Sequence, residues 1–301
     1  MDRFDSFRIF VRVAEARSFT KAAAQLGVPR STVSTAVQAL EARVGQRLLH
    51  RTTRTVGLTT DGEVFLQRCF RLLSDLEETE NLFRKGARPS GRIRVTVPSR
   101  IGHLIVVPAL PDFLERHPGL RIEILSTDRR RDLIEEDIDC AVRVGSDSGD
   151  QLISRPLGKL TIVYCSSPAY LKKHGVPRRP DVLQRHRVVG FIPGSATAPE
   201  PWTYVHKGET ISLELSTAMT TNDANDYIAA AVAGLGLIQI PAFDVEQLIA
   251  RKQLVEVLPT ARAPAMSISL VYPKQRHLSQ RVQAFVEWVI PLLIKELDLA
   301  R

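Results

Sequence analysis

Phe4, Phe7, Phe10, Val11 and Ala14 recur at helical spacing and predict an amphipathic helix that closes near Arg17. Ser18 is placed to cap a second helix, with Ala22, Ala23 and Leu26 on its inner face. Gly27 stops that helix and Val28 fills the turn. A third helix follows over residues 30–43, with Val33, Val37 and Leu40 as its buried stripe. Its outward positions are Arg30, Ser31, Thr32, Ser34, Thr35 and Gln38, short or flexible hydrogen-bonding side chains of the kind that read base edges in a major groove. A Gly-containing turn before a polar-faced helix describes a helix-turn-helix, although on this pattern alone a small helical bundle fits equally well. Ser18 and Thr20, at the start of the second helix, join the candidate DNA contacts.

Residues 51–60, RTTRTVGLTT, form an extended, Thr-rich segment suited to a two-stranded wing. Such a wing would bring Arg51 and Arg54 to the phosphate backbone or the minor groove. Thr60 and Glu63 then form a capping box, so a new helix should start there. Leu66, Cys69, Leu73, Leu76, Glu80 and Phe83 follow at alternating spacings of three and four, with Phe65, Leu72 and Thr79 as a neighbouring row. The stripe ends at Gly86, Pro89 and Gly91. It suits either a dimerising seam or an amphipathic helix packed on its own domain.

From Arg92 the pattern changes to strands alternating with helices. Strands are expected at residues 92–97, 121–125, 139–144, 159–164, 187–191, 211–215, 235–240 and 268–272. Helices are expected at 101–116, 131–136, 225–233, 244–250 and 279–297. This order implies a parallel sheet with helices on both faces. The most apolar stretch, residues 228–243, holds two glycines, Gln239 and a proline, and falls short of a membrane span.

Charge sharpens the reading of the N-terminal part. The chain of 301 residues has a formal net charge of +8, and residues 1–58 carry ten Lys/Arg against four Asp/Glu. Clustered positive charge of this kind favours a polyanion, because neutralising phosphates releases counterions. Cys69, Cys140 and Cys165 form no CxxC, and no histidine has metal-ligand spacing, so no metal or other cofactor is expected. The N-terminal MDRFDSFRIF carries two acids and no apolar core of a signal peptide. A cytoplasmic protein with reduced thiols is therefore expected.

The run AAAQLGVPRSTVSTAVQALEARVGQRLLHRTTRTVGLTTDG resembles the helix-turn-helix of the LysR-type transcriptional regulators. It carries Ala22-Ala23, the Leu26-x-Val28 of the turn, Ser34 inside the recognition helix and Leu40-Glu41. Gly45, Leu48-Leu49, Arg51, Leu58-Thr59 and Gly62 complete the match, and RLLHRTTR is similar to one large branch of the family. Two departures stand out: Pro29 where the family usually has a capping serine, and Thr35 where it usually has arginine. Arg30 lies one turn before Thr35 and is placed to compensate in part.

The resemblance implies an α+β multidomain chain: a winged helix-turn-helix at 1–59, a linker and dimerisation helix at 60–89, and an effector domain at 90–301. That last domain would have two α/β lobes like those of type 2 periplasmic binding proteins. It further implies a homodimer, with pairing into tetramers, joined through Leu66, Leu73, Leu76 and Phe83 and bound to an inverted-repeat operator. RNA polymerase is a further candidate partner, and no membrane is involved.

Ligands in open α/β sheets bind at the carboxyl ends of strands. That rule selects Ser99, Arg100 and Ile101, then Thr127 and Asp128, then Arg143 and Gly145 in one lobe. In the other it selects Asn222 and Asp223, with Phe191 and Ile192 on the crevice wall. Ser99 matches a position where the family often carries a Ser or Thr touching the effector. Arg143 equally suits a structural ion pair, and Asn222 and Asp223 suit helix caps. An anionic, carboxylate-bearing metabolite is the expected effector.

Three rivals remain. An enzyme would need a nucleotide loop, a nucleophile elbow or a metal cluster, and the sequence has none. A redox-responsive regulator would need a reactive, resolvable cysteine pair. An architectural DNA-binding protein would not need 200 residues of two-lobed domain.

Overall fold

A computed structural model describes residues 2–51, 56–81, 89–145, 151–194, 196–274 and 278–299. The chain divides into two compact units, Met1–Arg92 and Ile93–Arg301. The first unit holds α1 (Arg3–Ala16), α2 (Phe19–Leu26), α3 (Arg30–Val44), β1 (Leu49–Arg51), β2 (Val56–Leu58) and α4 (Thr60–Asn81). Asp2 opens α1 with a capping box shared with Asp5, and Arg17 closes it in the left-handed region at φ 47°. The Ser18 hydroxyl caps α2 by accepting the Lys21 N–H, and Gly27 ends it at φ 68°. Phe10, Val13, Ala22, Val33, Ala36, Val37 and Leu40 bury completely between these helices. β1 and β2 pair antiparallel, with Arg51 opposite Val56. They form the expected wing, whose tip, including Arg54, lies outside the described residues.

One carboxylate ties the wing to the helices. Glu41 Oε1, on α3, accepts the N–H groups of Leu48 and Leu49 at 2.9 and 3.0 Å. Thr59 secures the other strand: its hydroxyl donates to the Arg47 carbonyl at 2.7 Å and accepts the Gly62 N–H at 2.8 Å. The cap of α4 is therefore Thr59, one residue before the expected Thr60, because only Thr59 also faces the chain entering β1. Close approach there requires glycine at 62, since a Cβ would lie 1.9 Å from the Leu48 carbonyl oxygen.

The stripe along α4 lies largely against its own unit. Cys69 is buried, and Phe65, Leu66, Phe70 and Leu73 pack on the same core, with the Phe65 ring 5.5 Å from that of Phe10. This corrects the expectation of an open seam through Leu66 and Leu73. Leu72 is 47% exposed, Val64 is 61% exposed, and Leu76 is half-buried. Phe83 lies outside the described residues.

The second unit begins with β3 (Gly91–Val97), which straddles the division, followed by α5 (Ser99–Ile101), a π turn (Gly102–Val106) and α6 (Val107–Arg116). Next come β4 (Leu120–Ser126), β5 (Cys140–Val144), β6 (Leu152–Leu160), β7 (Ile162–Ser166) and α7 (Pro168–His174). After a short 3-10 helix follow β8 (Arg187–Phe191), β9 (Trp202–His206), β10 (Glu209–Leu213), β11 (Ser216–Thr221) and α8 (Ala224–Val232). The unit closes with β12 (Ile238–Pro241), α9 (Ala242–Ala250), β13 (Val255–Val257), β14 (Met266–Pro273) and α10 (Gln280–Glu296).

One lobe is a five-stranded sheet of order β4-β3-β5-β14-β6, packed against α6 and α10 around Phe113, Phe285 and Val289. The other centres on β12-β7-β13 and β11-β8, joined through a parallel bridge between Val188 and Leu237. Three expectations are corrected. The segment 159–164 is two strands that part at Thr161 into different lobes. The first sheet is mixed, because β14 returns from the second lobe antiparallel to both β5 and β6. Residues 131–136 form no helix: the Asp132 carboxylate accepts the Ile134 and Glu135 N–H groups at 2.8 and 3.0 Å, and Asp137 closes the turn at φ 55°.

The close approach at Gly62 predicts that Gly62→Ala lowers stability by about 2 kcal/mol or more, since backbone must shift. Gly57→Ala, whose Cβ meets nothing within 4 Å, should stay within about 0.5 kcal/mol in the same urea titration. Glu41→Ala should cost about 2–3 kcal/mol, because it strands two backbone donors. Equal denaturation midpoints for Glu41→Ala and the parent would show that the tether carries no load.

Candidate functional site

On α3 the buried and exposed faces separate sharply. Arg30, Ser31, Thr32, Thr35 and Gln38 are exposed, Ser34 is half-buried, and Val33, Ala36, Val37 and Leu40 face the core. α3 begins at Pro29 without a side-chain cap, and the first helical bond is Val33 N–H to the Pro29 carbonyl at 3.3 Å. Its first-turn donors therefore lack a side-chain acceptor from the N-cap residue, beside the exposed Arg30. Thr20 is exposed, while the Ser18 oxygen is engaged in capping α2. Arg51 lies in β1 opposite Val56.

Between the lobes of the second unit lies a cavity of about 850 Å³. Of the residues expected there, Arg100, Ile101, Thr127, Asp128, Arg143, Gly145 and Phe191 line it, and Ser99, Ile192, Asn222 and Asp223 do not. Each of the four has a local reason. Ser99 turns its N–H to the Asp128 carboxylate at 3.1 Å, and the Ile192 N–H is taken by the Thr221 carbonyl at 2.8 Å. Asp223 caps α8 by accepting the Asn225 and Asp226 N–H groups at 2.8 and 3.2 Å, and Asn222 is exposed.

The strand-end rule missed the groups that face Arg100 from the other lobe. Arg100 Nε donates to Asp244 Oδ1 at 3.2 Å, Nη2 to the Asp244 carbonyl at 2.8 Å, and Nη1 to Asn225 Oδ1 at 3.2 Å. Asp244, on α9, is 7% exposed. Burial pushes its carboxyl up to about 7, against the lowering effect of Arg100 and with a further push from Asp128. Asp128 is itself raised, chiefly by burial, although hydrogen bonds from the Ser99 and Ala224 N–H groups and the Ser99 side chain hold it down. Arg143 donates to the Arg131 carbonyl at 3.0 Å, and Arg131 pairs with Glu136.

The wall behind these groups is aromatic. Phe191 and Tyr227 lie 5.3 Å apart, and the Tyr227 hydroxyl accepts the Gln239 N–H at 3.0 Å. Trp202 packs on Tyr164 at 4.8 Å, and its indole N–H is buried with no acceptor. Arg129, Arg130 and Arg131 add three consecutive guanidinium groups to the lining. The run follows β4, where the strand-end rule had already stopped at Thr127 and Asp128. Trp202 and Gln239 carry no comparable local signal.

The three thiols are buried. Burial raises Cys69 and Cys165 to about 12 and pushes Cys140 up as well, so none is a thiolate at neutral pH. Among the described residues no group of His, Cys, Asp and Glu is placed to hold a metal ion, and no helix is long and apolar enough to cross a membrane.

Two family descriptions match the chain. "Bacterial regulatory helix-turn-helix protein, lysR family" covers residues 4–63, and "LysR substrate binding domain" covers residues 86–293. The HTH-type transcriptional regulator YhjC of Escherichia coli K12 is 39% identical over 99% of this chain and 100% of its own length. Among solved structures, the full-length Vibrio cholerae virulence activator AphB superposes with a TM-score of 0.60 at 28% identity, covering 96% of this chain and 99% of that one. CrgA, a LysR-type transcriptional regulator from Neisseria meningitidis, gives 0.61 at 28% identity, covering 96% and 98%. With both halves matched in order and an exposed polar row on the second helix of the helix-turn-helix, the chain belongs to the LysR family of DNA-binding transcriptional regulators that carry an effector-binding domain.

Proposed function

We propose that this chain, acting in the cytoplasm, reads an inverted-repeat operator as a dimer and that a small anionic metabolite in the inter-lobe crevice biases that reading. The observation that carries the first part is the row Arg30, Ser31, Thr32, Thr35 and Gln38, exposed opposite a fully buried stripe on α3. Ser34 reaches the same groove from the margin, and Ser18, Thr20, Arg51 and Arg54 hold the flanking phosphates. Two copies join through α4, chiefly by the exposed Leu72 and the half-buried Leu76, with Leu66 and Leu73 at the rim of their own core. The crevice biases DNA binding as its two lobes change their degree of closure, because an effector with different affinity for the two states shifts their populations. The buried, unionised thiols speak against redox control.

The direct test is a footprint of the purified protein on the DNA upstream of its own gene, with and without a pool of cellular carboxylates. A protected inverted repeat whose extent changes with the pool is expected, and protection indifferent to every metabolite would leave the crevice without a role. Arg30→Ala and Ser34→Ala should abolish specific binding while leaving a dimer. Arg51→Ala or Arg54→Ala should weaken binding to all sequences and flatten the log–log salt slope by about 0.9 per lost phosphate contact. Unchanged affinity of both wing variants at every salt concentration would remove the wing from the interface.

A pH signature belongs to the same clasp. Asp244 ionises near 7 in the folded chain and near 3.8 as a free group, so between these values the native state holds a proton that the unfolded state has released. Its contribution to stability therefore falls as pH rises through that window. Between about pH 5 and pH 7.5 the melting temperature of the parent should drop more than that of Asp244→Asn, in which the titration is gone.

A further inference from the structure

The geometry points to a carboxylate ligand with a flat apolar body, held at the arginine wall of Arg129 and Arg130 rather than where β3 meets α5. This assignment rests on the crevice reading above and specifies its ligand class and subsite. At the junction of β3 and α5 the donors are already used within the chain. The Ser99 N–H serves the Asp128 carboxylate at 3.1 Å, and the Arg100 guanidinium serves Asp244 and Asn225. An incoming anion there would face two carboxylates at close range, and burial already disfavours charge on both.

The opposite side of the cavity is built differently. Residues 129–131 present three successive guanidinium groups to a lining that otherwise holds Arg100 and Arg143, both bonded within the chain. Arg131 pairs with Glu136 and offers its carbonyl to Arg143, which leaves the charge of Arg129 and Arg130 at the rim. Arg130 lies between two glycines of different lobes: a Cβ at Gly145 would stand 3.9 Å from its Nη2, and one at Gly194 3.9 Å from its Cγ. A carboxylate there would meet a guanidinium that already bridges the mouth of the crevice. Lobe closure would tighten that contact.

Trp202 is the second, independent pointer. It is 5% exposed, it lines the cavity, and its indole N–H has no acceptor. Indole is a donor only, so the group that completes it must bring a lone pair. Phe191, Tyr227 and Phe243 supply apolar surface beside it, matching a planar ring more closely than a polyhydroxylated or highly charged metabolite.

The test compares three probes of one shape and different charge on the full-length protein: 2-naphthoate, 2-naphthamide and 2-naphthylmethylamine. By calorimetry and thermal shift, 2-naphthoate should bind and the amide and amine should bind at least tenfold more weakly. Arg129→Ala/Arg130→Ala should lose at least tenfold in affinity for 2-naphthoate, and Arg129→Lys/Arg130→Lys should recover most of it. Trp202→Phe should lose severalfold, and Ser99→Ala should remain within about twofold, because the hydroxyl there serves only Asp128. Equal affinity for acid and amide, or full affinity in the double alanine variant, would overturn the arginine subsite. Silence of all three probes to 10 mM would overturn the ligand class. A footprint that still responded to the cellular pool would in that case leave the crevice reading standing, so the two failures are told apart.

Discussion

Arg100 joins the two lobes, and the sensing half of the molecule is organised around that contact. The residue sits one position into the helical run after β3, and its guanidinium crosses to the Asp244 carboxylate, the Asp244 carbonyl and Asn225. Both partners belong to elements that start at the crevice, α9 and α8, so a single side chain relates the ends of three helices. Burying an ion pair is close to neutral in net stability, since desolvation offsets much of the Coulomb gain. Its effect is on geometry: with Arg100 bonded at three points, the lobes have a defined closed arrangement. Asp128 reinforces this from the same side, taking the Ser99 N–H and lying near that of Ala224.

The DNA-reading half uses the same device at smaller scale. Glu41 projects from the end of α3 and takes the two backbone donors that begin β1. Thr59 then binds the Arg47 carbonyl and starts α4 at Gly62. Recognition helix, wing and linker helix are thus fixed to one another by two polar side chains, while the apolar core sets only their general packing. A wing whose phosphate contacts must lie in register with a helix in the major groove needs that kind of fixed relation.

These contacts also explain which parts of the molecule were legible in the sequence. α1 to α3 are local: periodicity, the Ser18 cap and Gly27 are all contained within a few residues, and the structure reproduces them. Glu41 was visible as part of a family motif, but its role depends on a hydrogen bond to residues seven and eight positions away. The Asp244 partner of Arg100 lies 144 positions away, where no local pattern can reach. Residues 131–136 read as helix by composition, and the Asp132 side chain, which binds its own downstream backbone, won instead. The break at Thr161 was hidden because β6 and β7 are both apolar and nearly contiguous, and only the return of β14 into the first sheet separates them. Strands such as β11, exposed along most of its length, carry no alternation for a sequence reading to detect.

The internal clasp bears on how strongly any effector can act. Moving a two-state equilibrium from one part in a hundred to ninety-nine takes about 5.5 kcal/mol of differential binding. A lobe interface held by one ion pair and a few hydrogen bonds, each worth about 1 kcal/mol net, starts far nearer to balance than that. A ligand that engaged the clasp itself would have to replace contacts the protein already makes, so little differential affinity would remain to shift the equilibrium. Contacts made elsewhere in the crevice, by the guanidinium groups of 129–131 and the indole of Trp202, add to closure without exchanging for anything lost. The arrangement therefore separates the groups that define the closed state from the groups left to sense a ligand.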